Sequence, residues 1–261
     1  MNLNYINAAL GGYLLACIVY FIHSIFKTKN CFKAATIVLS ISFIFHTLFL
    51  LNRWLVAGHF PVIGLYESLL FFGWSLVFVY FTLKKLYRFK YLEIPVTLLA
   101  ALLLGYTSIL DKSIKPLMPA LKSNWITIHV ISYFIGYAGA AISCIVSIMY
   151  LGNAKTSSSD SAAHLDTLSY RMIAFAFPFL TIGLTTGAVW AKVAWGSYWS
   201  WHPKETWALI TWCMYAAYLH LRLLKNWQGK RAAYLNIAAF LCVLFTFFGV
   251  NYLMKGLHSY L

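Results

Sequence analysis

Acidic side chains are nearly missing from this chain: 6 Asp and Glu stand against 20 Lys and Arg in 261 residues, and charged residues of both signs make up only 10%. Soluble domains carry about 25% charged residues, so this shortfall excludes a soluble fold. Cysteine is also sparse and unpatterned. Cys17, Cys31, Cys144, Cys213 and Cys242 are scattered and form no C-x-x-C. Neither a disulfide framework, a zinc ribbon nor a dithiol redox centre is supported.

What is present is apolar and aromatic, at 62% and 18% of residues. A helix needs roughly 20 apolar residues to cross the hydrocarbon core of a bilayer. Eight stretches of about that length run approximately over 5–26, 34–57, 62–83, 91–110, 125–151, 172–191, 206–224 and 232–254. The expected fold class is an all-α integral membrane protein of about eight transmembrane helices, one polytopic domain over 1–261. The first stretch reads as a span and not a signal peptide, because Lys27 and Lys29 follow the apolar run instead of preceding it. The Ser-rich tract 153–163 reads as a loop.

The net charge of +14 encodes topology. Alternate loops carry Lys27, Lys29 and Lys33; Lys84, Lys85, Arg88 and Lys90; Lys155 and Arg171; and Arg222, Lys225, Lys230 and Arg231. The positive-inside rule places these in the cytoplasm or its equivalent, leaving no case for a nucleic-acid surface. Both termini, the 58–61 turn, the 111–124 loop and the segment 190–207 then face outward. Three lysines in 111–124 run against the rule.

Six of the ten tryptophans fall between Trp190 and Trp212, around Trp195-Gly-Ser-Tyr-Trp199-Ser-Trp201-His202-Pro203-Lys204-Glu205-Thr-Trp207. Rings of this kind line the water side of any membrane protein. An interfacial belt, however, needs no Gly196, Pro203 or Lys204-Glu205 at fixed places among them, whereas a surface for a flat hydrophobic ligand does. Pro203 suits the first turn of a helix, whose free N–H groups and Lys204 would favour an anionic group such as a haem propionate.

Eight histidines supply candidate ligands. His129 and His258 lie at the outer ends of the fifth and last spans and flank the tryptophan-rich segment, with His202 inside it. Two imidazoles on opposite sides of a macrocycle give six-coordinate haem iron. Zinc held by outward histidines and Glu205 is the competing metal, but zinc needs no indoles. Within the bilayer, His220 and His23 share an inner depth and His46 lies midway along the second span; histidines satisfied by neighbouring hydroxyls or carbonyls are the alternative. His46 and Arg53 share a helical face, and Arg53 lies at the depth of Glu67. Arg53 therefore either pairs with Glu67 or reaches a ligand carboxylate. Gly183 and Gly187 form a G-x-x-x-G, read as close helix packing.

The segment Trp195-Gly-x-x-Trp199-x-Trp201-x-Pro-Lys-Glu-Thr-Trp207 resembles the WWD signature of haem-handling membrane proteins. With Arg53-Trp54-x-x-x-Gly58-His59-Phe60-Pro61, Leu65-Tyr66-Glu67-Ser68, Tyr218-Leu219-His220-x-Arg222 and Gly256-Leu257-His258-Ser259-Tyr260, the chain is similar to the CcsA/ResC family of system II cytochrome c biogenesis. The resemblance implies a haem-binding subunit, joined to a CcsB/ResB-type membrane partner, that carries haem b across the membrane. It would present the haem outside for thioether attachment to a C-x-x-C-H motif of apocytochrome c. It implies a bacterial inner membrane location with the WWD segment facing the exterior. The outward haem would rest on Trp195, Trp199 and Trp201 between His129 and His258, with Lys204 and Arg53 near its carboxylates. His220 would serve an intramembrane haem whose second ligand comes from the partner, His23 or His46. The family commonly has Asp where this chain has His202, so no carboxylate role transfers there. A CcmC-like haem-delivery protein and a transporter of another flat hydrophobic molecule are the rival readings.

Overall fold

The computed structural model describes residues 3–87, 92–153 and 159–250, and the chain divides into two compact units, Met1–Leu117 and Met118–Leu261. The protein is a multi-pass, all-α membrane protein. Among the described residues eight α-helices form, and six are long and apolar enough to cross a membrane.

The first unit holds α1 (Asn4–Phe26), α2 (Lys29–Ala57), α3 (Gly64–Leu86) and α4 (Glu93–Thr107). α4 is apolar but only 15 residues long, shorter than the span expected over 91–110. α2 ends where Gly58 takes a left-handed φ of 72° and its N–H bonds to the Trp54 carbonyl, a closure that favours glycine. This turn brings α3 back along α2. Phe43, Trp74 and Phe78 stack between them, and the Trp74 indole donates to Thr47 Oγ1 at 2.9 Å. α3 is the most enclosed helix of the unit, with 61% of its apolar window buried against 28% for α1. That burial explains its nearly continuous apolar sequence.

Buried charges in this unit are paired inside it. Arg53 Nε donates to Glu67 Oε1 at 2.6 Å, and both side chains are almost fully enclosed. The same guanidinium donates to the Lys112 and Ser113 carbonyls at 3.0 and 3.1 Å, pinning the chain after α4. In that loop the Ser113 hydroxyl and N–H both donate to Asp111, holding its carboxyl below the usual range. Toward the opposite end of α3, Lys84 lies 3.5 Å from Glu93 and donates to the Tyr80 hydroxyl.

The second unit holds α5 (Asn124–Asn153), α6 (Ser159–Trp195), α7 (Pro203–Leu224) and α8 (Lys230–Leu244), which continues as a π-helical turn, Phe245–Gly249. A short 3-10 turn, Pro119–Leu121, precedes α5. α6 is 37 residues long, about 55 Å at 1.5 Å per residue, and so starts a full 13 residues before the span expected at 172. Part of the Ser-rich tract expected as a loop is thus its first turns. α5 is the most enclosed helix, with 67% of its window buried.

α5 and α6 pack closely because glycines and alanines face each other: Gly136 meets Leu180, and Gly139 meets Ala176. Polar side chains then fix their register. Asn236 Nδ2 of α8 lies 2.8 Å from Ser143 and Ser147 Oγ and 3.1 Å from Ser169 Oγ, joining three helices in one buried cluster. Nearby, Arg222 of α7 grips both carboxylate oxygens of Asp166 on α6, and the Gly229 N–H donates to the same carboxylate.

Candidate functional site

The tryptophan-rich segment closes α6, crosses a short loop and opens α7. Its turn begins at Gly196, with φ 83°, where the Lys192 ammonium donates to the Gly196 carbonyl at 2.8 Å. It ends in a capping box. His202 is the N-cap: its Nδ1 accepts from the Lys204 N–H at 3.2 Å, while Glu205 accepts from the His202 and Ser200 N–H groups. Pro203 occupies the first helical position, as the sequence leads one to expect.

This cap gives the histidine at 202 a structural role. A short acceptor at an N-cap satisfies an orphan N–H, and His202 Nδ1 does the work of an Asp oxygen. A neutral imidazole accepting at Nδ1 carries its proton on Nε2, so the cap and iron ligation compete for the same ring. Burial holds the His202 imidazole below its usual value, against the opposing pull of the Glu205 carboxylate, and keeps it neutral and able to accept.

The rings divide into two sets. Trp195 is 42% exposed, Tyr198 59% and Trp201 69%, offering broad outward faces. Trp201 reaches that exposure through a left-handed φ of 58°. For a bulky residue this costs about 1–3 kcal/mol, and it persists because the capping box fixes the chain on its far side. Trp190, in contrast, is buried: its indole donates to the Ala120 carbonyl at 2.9 Å and meets Trp195 edge to face at 5.9 Å. Trp199 packs edge to face on Trp201, and its buried indole N–H meets no acceptor among the described residues.

His129 joins this arrangement. Its Nδ1 lies 2.7 Å from the Gly183 carbonyl, which only accepts, so Nδ1 carries the proton and donates. The Nε2 lone pair is left available to a metal. The ring is held edge to face by Tyr133 at 4.9 Å and lies nearly parallel to Trp190 at 6.5 Å. Lys204 is half-buried in the first turn of α7.

The remaining candidates are placed elsewhere. Arg53 is enclosed in the first unit, where it forms the expected ion pair with Glu67 and donates to two carbonyls. His46 is fully buried in the same unit, 3.2 Å from the Tyr13 hydroxyl. His23 Nδ1 donates to the Thr28 carbonyl at 2.9 Å in the connection from α1 to α2. His220 is exposed, on the face of α7 away from the buried Thr211, Tyr215 and Tyr218. His258 lies outside the described residues. Among the described residues no group of three His, Cys, Asp or Glu side chains converges as a zinc site would require.

The sequence placed Trp190 among the six tryptophans without setting it beside His129, and the close packing expected of Gly183 and Gly187 is found, against the Tyr133 and His129 rings. The signal was present as two four-residue spacings, 129/133 on α5 and 183/187 on α6. Their facing could not be read without the helix pair.

Residues 62–258 match the family model of the cytochrome c assembly protein. The cytochrome c biogenesis protein CcsA of Pyropia yezoensis is 38% identical, over 100% of this chain and 97% of its own length. That of Guillardia theta is 42% identical over 95% and 92%, and that of Prochlorococcus marinus 39% over 91% and 87%. Among solved structures, the cytochrome c heme lyase CcmF superposes with a TM-score of 0.65 at 18% identity. The match covers 93% of this chain and 45% of that longer chain, a likeness of fold alone. With the family model spanning most of the chain and relatives matching end to end, the chain belongs to the CcsA family of cytochrome c biogenesis proteins.

Proposed function

We propose that this chain is the haem-binding subunit of a cytochrome c synthase complex. It takes haem b across the membrane, holds it on the outer aromatic segment between His129 and His258, and presents it to apocytochrome c. The observation that supports this reading is the His129 Nδ1 to Gly183 hydrogen bond, which keeps the proton on Nδ1 and leaves Nε2 as the nitrogen able to ligate. A backbone carbonyl behind a histidine is the usual support of a metal ligand, and here the ring it holds lies by Trp190, which in turn meets the exposed Trp195.

Haem is the cargo, and it supplies the vinyl carbons to which the two thiols of a C-x-x-C-H motif add. The chain supplies position. His129 and His258 would hold the iron, Trp195, Trp199 and Trp201 would flank the macrocycle, and the Lys204 ammonium would face the propionates, since the first N–H groups of α7 are taken up by its own cap. No nucleophile of its own is needed, and rate is gained through orientation and proximity. Arg53 pairs with Glu67 and donates to two carbonyls in the first unit, which supports the ion-pair reading for it. His220 points away from its own helix bundle, which fits an inner haem completed by a CcsB/ResB-type membrane subunit. The complex sits in a bacterial inner membrane, with residues 190–207 and both termini on the outer side.

An absorption spectrum of the chain purified with its partner tests the reading: low-spin haem bands are expected, and their absence overturns it. His129→Ala and His258→Ala are each expected to abolish holocytochrome formation and to be partly restored by added imidazole. Normal maturation by both variants refutes the ligand assignment.

A further inference from the structure

We propose that Gly187 and Gly183 of α6 are positioning residues: they form a bare bed on which the His129 and Tyr133 rings lie, and that bed aims His129 Nε2. The inference rests on His129 being an iron ligand.

The bed is visible in what a side chain would meet. A Cβ at Gly187 would run into His129 Nδ1 and come within 2.6 Å of Cε1; a Cβ at Gly183 would come within 2.7 Å of Tyr133 Cδ2. Successive turns of α5 thus set an imidazole and a phenol ring directly on the backbone of successive turns of α6. The close approach also brings the Gly183 carbonyl to His129 Nδ1 at 2.7 Å. Space and hydrogen bond act together: the missing Cβ at 187 admits the ring, and the carbonyl at 183 fixes which nitrogen keeps its proton.

The consequence of filling the bed differs from ordinary overpacking. The atoms met at Gly187 belong to the end of a side chain that rotates about two bonds, whereas the helices are held together lower down by Gly136, Gly139 and the Ser143, Ser169 and Asn236 cluster. A methyl at 187 therefore expels the ring before it separates the helices. His129 loses its hydrogen bond to Gly183, and with it the direction of Nε2 and the preference for that tautomer.

Gly187→Ala in the intact complex is expected to lower holocytochrome formation about 10- to 100-fold, the usual loss when support behind a ligating histidine is removed. The complex should accumulate normally, and added imidazole should restore most of the yield, because a diffusing ligand replaces a misdirected one. Gly152→Ala, on the same helix as His129 but with open space where its Cβ would stand, should leave haem spectrum and yield unchanged. Wild-type yield from Gly187→Ala, or a loss that imidazole does not touch, overturns the proposal. His129→Ala run in parallel separates the two levels: if it too is silent, the ligand reading itself falls; if it alone is inactive, only the bed falls. Should Gly187→Ala fail to accumulate, hyperfine spectroscopy of the unmutated complex with labelled histidine decides. Ligation through Nε2 with an exchangeable proton on Nδ1 is expected, and ligation through Nδ1 overturns the bed.

Discussion

His46 and His129 are both ring-packed histidines on long apolar helices, one in each unit, and they differ in what their surroundings leave undone. His46 meets the Tyr13 hydroxyl through Nδ1 in a fully enclosed core, where its Nε2 has no partner among the described residues, in a unit whose buried charges Arg53, Glu67 and Glu93 all find partners within it. His129 has its Nδ1 closed by the Gly183 carbonyl, and its ring lies by Trp190, which meets the 42% exposed Trp195. A membrane interior makes unpaired polar groups costly. An open nitrogen sealed inside a core is a cost to the fold, whereas one beside a ring that leads to exposed indole can be put to use.

The sharpest way to break this comparison is to exchange the fates of the two histidines. His129→Ala should abolish cytochrome maturation while leaving the melting temperature of the purified chain nearly unchanged; His46→Ala should lower that temperature with maturation reduced only in proportion to protein level. Equal phenotypes would erase the distinction. Next in size is the ion pair: Glu67→Ala strands a buried Arg53 and should cost about 3–5 kcal/mol in denaturant titration. The double replacement Arg53→Met with Glu67→Leu should recover much of it, as expected of a packing element and not of a ligand site.

Smaller effects concern the seam. Asn236→Leu removes the amide shared by Ser143, Ser147 and Ser169 and should cost about 1–3 kcal/mol, with haem bands unaltered. His202→Ala should cost about 1 kcal/mol through loss of the N-cap. That cap also has a pH signature. The folded imidazole lies below its ordinary value, so the unfolded chain binds the proton more tightly, and the cap's contribution is complete above about pH 6.5 and is lost as pH falls below it. His202→Asp should remove that decline, read as melting temperature against pH, because an aspartate stays ionised down to about pH 3.9.

Much of this was legible beforehand. Long apolar runs gave the spans because hydropathy is summed over a local window, and Pro203 marked the start of α7 because its fixed φ suits a first turn. Arg53 and Glu67 were readable as partners since both charges fall at one depth across a short turn. The extended start of α6 was not legible, since Ser and Asp in 159–166 resemble a loop until Arg222 and Gly229 engage Asp166. The role of His202 was equally hidden, because an imidazole at an N-cap is ambiguous between acceptor and ligand until Nδ1 is seen against the Lys204 N–H.

The sequence by itself determined that this is an all-α membrane protein with an aromatic segment opening α7 and histidines at both depths, because composition and periodicity act through neighbours along the chain. Only the tertiary structure decided which nitrogen of His129 is engaged and what engages it. The proton on His129 is held by a carbonyl 54 residues away, and the ring finds room there because two glycines on another helix have no side chain.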